Sequence, residues 1–149
     1  MTGDAPLKVD ACNCLAVRKA ARHVTQHYDR HLAPTGLKTS QFSILARLQR
    51  GGPAGIARIA ADLVMDRTTL ARNLGPLERD GLLTVGRDPA DGRSRVLAIT
   101  PAGVAVAAEA RALWAVAQQR FDDAYGAERA VELRRTLAQV VATNLPNAS

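Results

Sequence analysis

A change of apolar spacing at Gly81 restricts the fold more than any other feature of this chain. Before it, Leu70, Leu74 and Leu77 recur at three- and four-residue intervals, the repeat of one helix face. After it, Leu82–Arg87 and Arg95–Ile99 read as strands, separated by the polar stretch Asp88-Pro-Ala-Asp-Gly-Arg-Ser94. A helix therefore leads into a hairpin with a long, charged tip.

The other segments read as helices. From about Asp10 to Leu32 there is no Gly or Pro, and Leu15, Ala16, Lys19, Ala20, His23, Val24, His27, Tyr28 and Leu32 keep helical spacing until Pro34 and Gly36 end the run. Thr39 or Ser40 can cap a second helix with a buried stripe of Phe42, Leu45, Ala46 and Leu48, closed by Gly51, Gly52 and Pro53. Ile56–Leu63 makes a third helix too short to stand alone. Asp66 caps the helix that starts Arg67-Thr68-Thr69, and Pro76 is expected to bend it by removing the bond to the Arg72 carbonyl. Thr100-Pro101 starts a helix running to about Tyr125, and after Gly126 a last helix runs from about Ala127 to Asn144.

The order of short helix, turn, polar-started helix and charged hairpin is that of a winged helix-turn-helix. The expected fold is mainly α with a small β-hairpin wing. One unit, 1–149, has a DNA-binding core at 39–99 and flanking dimerisation helices at 10–33 and 101–145. The last helices carry Val104, Ala108, Leu113, Ala117 and Phe121, then Val131, Leu133, Leu137, Val140, Val141 and Leu145. They have little of their own chain to pack on, so a homodimer through the termini is expected.

Charge points to the partner. The net charge is +6, and of twenty basic residues only Lys8, Lys19 and Lys38 are lysines. Guanidinium suits bidentate contact with phosphate and guanine, so double-stranded DNA is the first candidate. The charge is +4 over residues 1–49, +2 over 50–99 and zero over 100–149, so the last third is not expected to face a polyanion. In the helix after Asp66, Arg67, Thr68, Thr69, Arg72 and Asn73 have the types and positions that read base edges in a major groove. In the wing, Arg93 and Arg95, with Arg87 at the base, suit a narrow minor groove or phosphates, while Asp91 is expected to orient Arg93.

Other classes fit less well. There is no Gly-rich phosphate loop, His-Glu-x-x-His or Gly-x-Ser-x-Gly, so the chain is not expected to be an enzyme or to need a cofactor. A non-specific architectural DNA binder would rely on charge and deformability, which the small central charge disfavours. No run of about 18 apolar residues occurs and the start, MTGDAPLKVD, lacks the order of a secretory signal, so no membrane partner and a cytoplasmic location are expected.

The segments Ile56-Ala-Arg-Ile-Ala-Ala-Asp-Leu63, Asp66-Arg-Thr-Thr-Leu-Ala-Arg72, Leu77-Glu-Arg-Asp-Gly-Leu82, Asp88-Pro-Ala-Asp-Gly-Arg93 and Leu97-Ala-Ile-Thr-Pro-Ala-Gly103 resemble the MarR family of bacterial regulators. The likeness covers nearly the whole chain, and its most specific part is the Asp-Gly-Arg wing followed by a strand and Thr-Pro-x-Gly. It implies a homodimer that binds a pseudo-palindromic operator, usually represses nearby genes, and is released by a small ligand or an oxidant. It also implies recognition roles for Arg67, Thr68, Thr69, Arg72 and Asn73, and wing roles for Asp91 and Arg93.

Three signals are candidates. Arg18, Arg22, Tyr28, Phe42, Arg111 and Trp114 have the chemistry to hold a small aromatic or apolar effector in the crevice that the resemblance implies. Cys12 and Cys14 are candidate redox thiols, although on a regular helix they would project about 200° apart, against an intrachain bond. His23, His27 and His31 share one helix stripe, and a pair spaced i, i+4 can chelate a transition metal, but no third ligand is placed. No metal is assigned on that basis.

Overall fold

The computed structural model describes residues 8–147; the first seven, read above for a secretory signal, lie outside them. The elements are α1 (Asn13–Leu32), α2 (Thr39–Gly51), β1 (Ala54–Gly55), α3 (Ile56–Leu63), α4 (Arg67–Arg79), β2 (Leu83–Arg87), β3 (Arg95–Ile99), α5 (Pro101–Tyr125) and α6 (Ala127–Ala142). Short 3-10 turns at Val9–Ala11 and Ala33–Thr35 precede and follow α1. No helix among the described residues is long and apolar enough to cross a membrane.

The expected hairpin is the larger part of a three-stranded antiparallel sheet, in which β3 lies between β1 and β2. Ala54 pairs with Leu97 and Gly55 with Val96, while β2 and β3 run in register from Leu83 opposite Ile99 to Arg87 opposite Arg95. The core lies between this sheet and α2 to α5. Ile44, Leu45 and Leu48 of α2, Ile59 of α3, Leu70 and Leu77 of α4, Leu83 of β2 and Leu97 of β3 are all essentially sealed from water. At roughly 1.5–3 kcal/mol each, burying these side chains is the main force holding α4 in place.

Two junctions fix the wing and the turn between α3 and α4. Thr100 caps α5 through its hydroxyl, which accepts from the Gly103 N–H at 3.0 Å and donates to the Gly81 carbonyl at 2.6 Å. The Thr100 N–H bonds the Leu82 carbonyl at 3.1 Å. Between α3 and α4, Val64 holds a left-handed conformation with φ 52°, which a β-branched residue rarely adopts. It lets the Met65 N–H reach the Ala60 carbonyl and stops α3 after two turns.

Some local expectations change. Thr39 does not cap α2: the cap position is Lys38, whose N–H donates to Gln41 Oε1, and Thr39 instead gives its N–H and hydroxyl to Asp29 Oδ1 of α1. Helix α4 runs through Pro76 to Arg79, the span in which the bend was expected. The first helix begins at Asn13, with Cys12 as its extended cap residue.

Candidate nucleic-acid interface

Helix α4 has two faces. Leu70, Leu74 and Leu77 are buried, whereas Arg67, Thr68, Ala71 and Arg72 are exposed on the opposite side. Asp66 sets the first turn: its carboxylate accepts from the Thr69 N–H at 2.7 Å and from the Thr69 hydroxyl at 2.8 Å. The Thr69 hydroxyl hydrogen is therefore committed to the cap, leaving the methyl and the hydroxyl lone pairs for other contacts.

These bonds, chiefly the Thr69 backbone N–H, hold the Asp66 carboxyl below the usual aspartate value. A lowered folded-state value means stabilisation that is present above the unfolded-state pKa of about 3.9 and lost as pH falls through the lowered one. In thermal melts, Asp66→Ala should melt below the parent protein at neutral pH, and the gap should close as the solution is acidified through that range. A gap independent of pH would show that the carboxylate is not the cap.

Asn73 has a structural role that the sequence reading did not include. Its Nδ2 donates one hydrogen to the Thr69 carbonyl at 2.8 Å and its Oδ1 accepts from the Ser40 hydroxyl at 2.7 Å, which fixes the amide and leaves it one further N–H. It ties α4 to α2, and this bonding fixes the direction of its remaining N–H.

In the wing, the Asp88 N–H bonds the Ser94 carbonyl at 2.8 Å, closing the loop. Asp91 accepts from the Arg93 N–H at 3.1 Å and from the Ser94 hydroxyl at 2.9 Å, and these bonds, the Arg93 N–H first, lower its pKa. Asp91 thus shapes the turn through backbone and hydroxyl, and the Arg93 guanidinium is left exposed. Arg87 and Arg95 are direct cross-strand partners, an arrangement in which like charges destabilise a sheet unless an anion answers them. None of Arg67, Arg72, Arg87, Arg93 and Arg95 makes an ion pair among the described residues.

Four contributors escaped sequence reasoning. Asp62 holds Arg47 of α2 at 2.6 Å and Arg58 of α3 at 3.0 Å, and Arg47 before Arg58 lowers its pKa. Arg58 and Asp62 sit at i, i+4, a spacing visible in the sequence. Ser40 had no such signal, because its partner Asn73 lies 33 positions away.

The effector residues do not assemble. Phe42 is buried in the core, Arg18, Arg22 and Arg111 are exposed, and Trp114 is 38% exposed. Of the six, only Tyr28 lines either of two cavities between α1 and the C-terminal helices, and its hydroxyl donates to Gln118 Oε1 at 2.5 Å. Cys12 and Cys14 are both exposed, and Cys12 Sγ accepts from the Leu15 N–H at 3.4 Å; since Cys12 precedes the helix, the 200° argument does not apply to it. His27 Nε2–H donates to the Ala117 carbonyl, and His31 spans the His27 carbonyl and Arg120, so two of the three histidines are held by protein groups. Among the described residues no group of three or more potential ligands gathers for a metal.

Residues 37–103 match the model of a winged helix DNA-binding domain. The HTH-type transcriptional regulator YxaD of Bacillus subtilis is 34% identical over 67 residues, 45% of this chain and 47% of YxaD, so that match spans about half of the relative. The transcriptional activatory protein BadR of Rhodopseudomonas palustris is 30% identical over 128 residues, 82% of this chain and 69% of BadR. The transcriptional regulator MosR of M. tuberculosis, solved in complex with DNA, is 33% identical with a TM-score of 0.72, covering 89% of this chain and 99% of MosR. Solved MarR-family regulators share the fold. The chain belongs to the MarR family. This MarR-family protein is a transcriptional regulator with a winged-helix DNA-binding domain, and the matched span runs from the start of α2 through the wing to the first turn of α5.

Proposed function

We propose that this regulator acts as a homodimeric, cytoplasmic repressor that lays two copies of α4 and the wing on a pseudo-palindromic operator and is released by a small ligand. The observation that carries the DNA reading is the exposure of Arg67 and Arg72 on α4 and of Arg87, Arg93 and Arg95 on the wing, none with an ion-pair partner among the described residues. An α-helix fits the major groove, and guanidinium grips guanine or phosphate. The dimer reading rests on the terminal helices: α1 buries only Leu32 and α6 only Ala130, while Val17, Val131, Leu137, Val140 and Val141 are exposed. Apolar faces of this kind on two long helices are answered by a second copy.

Selection of bound genomic fragments, combined with sedimentation, tests the reading. A dimer should select paired half-sites about one helical turn apart, and its affinity should fall steeply with salt. Deleting the gene should raise transcripts beside those sites; a fall would make the protein an activator. A monomer at binding concentrations, or equal affinity for random duplex at physiological salt, would overturn the specific dimeric reading, the latter in favour of an architectural binder.

A further inference from the structure

Strand alternation sets two arginines where the core ends. Leu83, Val85 and Arg87 share one face of β2, and their partners Ile99, Leu97 and Arg95 share the matching face of β3. Leu83 and Leu97 are sealed in the core, so the pair Arg87 and Arg95 continues the core-side face past its last apolar residues. A hollow of about 370 Å³ opens there, walled by Glu78 of α4 on one side and by Val85, Gly86, Arg87 and Arg95 on the other.

The three charges in this hollow are exposed, and none of them makes an ion pair among the described residues. Two like charges directly opposite on paired strands destabilise a sheet unless an anion answers them. In the free protein that anion is Glu78, whose carboxylate is the one acidic group lining the hollow. A bonded carboxylate would lock an arginine in place. Glu78 is bonded to neither, so both guanidiniums stay free to turn to another anion.

With α4 in a major groove and the wing at the adjoining minor groove, the sugar-phosphate ridge between the grooves passes between α4 and the wing, at this hollow. We propose that Glu78 competes with that phosphate for Arg87 and Arg95, answering them in the free protein and yielding them when DNA arrives, and so limits affinity for any duplex. Phosphate contacts carry no sequence, so operator and random DNA are held back alike and the choice of bases stays with α4. The consequence for DNA rests on the placement of α4 and the wing proposed above; the contact between Glu78 and the arginines does not.

Fluorescence anisotropy with Glu78→Gln tests the competition. The variant should bind operator and random duplex more tightly, by about threefold per half-site and so about tenfold for a two-fold dimer, the size of an exposed charge interaction. Its salt dependence should steepen by up to about one unit per half-site. Glu128→Gln makes the same change of charge at an exposed position on α6 and should bind like the parent. The gain should shrink when Arg87→Gln and Arg95→Gln accompany Glu78→Gln. Thermal melts without DNA read the contact separately: inorganic phosphate should raise the melting temperature of Glu78→Gln more than that of the parent. Parental or weaker binding by Glu78→Gln, an equal gain in Glu128→Gln, a gain undiminished without the arginines, or melts that phosphate moves equally would each overturn the proposal. A parent protein that binds no duplex, with the melts as expected, would instead overturn the function above and leave the contact standing.

Discussion

Arg72→Ala is expected to weaken operator binding by about 1–3 kcal/mol per half-site, the worth of a good bidentate base contact. A two-fold dimer makes that contact twice, so the whole complex should lose roughly 2–6 kcal/mol. Fluorescence anisotropy against operator and random duplex separates the terms. Arg72→Ala should lose preference for the operator, whereas Arg93→Ala should weaken both duplexes and flatten the salt dependence by about one unit per half-site. Asn73→Ala supplies the contrast, because it removes the tie to Ser40. It should lower thermal stability and leave the order of preferred bases unchanged. Unaltered affinity in both arginine variants, with the fold intact, would remove α4 and the wing as the reading surface.

The second large effect is on stability. A methyl group at Gly103 would overlap the Leu82 carbonyl oxygen and come within 2.8 Å of Ile99 Cγ1. That carbonyl cannot retreat without breaking its bond to the Thr100 N–H, at the corner where β3 meets α5. Gly103→Ala should therefore destabilise the protein by about 3 kcal/mol, the upper part of the usual overpacking range. Chemical denaturation at one fixed protein concentration measures it, since the midpoint of an associating protein moves with concentration. A parental midpoint would show that the corner yields. The clash also gives a physical reason for glycine at the end of the Thr-Pro-x-Gly motif: the space there belongs to a backbone oxygen.

Much of the fold was legible because local chemistry and burial agree. The Asp66 cap, the Thr100-Pro101 start, the turn at Gly81 and the alternation of β2 and β3 each combine a local signal with a matching apolar pattern. Strand β1 was not legible, because Ala54 and Gly55 have no strand preference and acquire that state by pairing with β3. The second role of Asn73 was hidden for a related reason. Its position on α4 marks it as a reader, and only the approach of Ser40 from another helix reveals that its amide is engaged.

The effector set failed on geometry. Phe42 already belonged to the apolar stripe of α2, and a side chain packed in the core is not free to line a crevice. Residue type indicated that arginines and aromatic rings were available on α1 and α5, but the facing of those helices decides which of them meet. They are Arg30, Arg120, Phe121 and Tyr125. The charged tip of the wing was legible as a hairpin, yet the use of Asp91 as a brace for the turn depended on backbone positions that the sequence does not display.

The tie between Asn73 and Ser40, continued by the grip of Asp29 on Thr39, bolts the reading helix to α2 and α2 to α1. A disturbance arriving at α1 is therefore expected to reach α4 as the swing of a connected block. In the proposed dimer each head would keep its shape while the stride between the two copies changed, and a duplex of fixed pitch would respond to that stride.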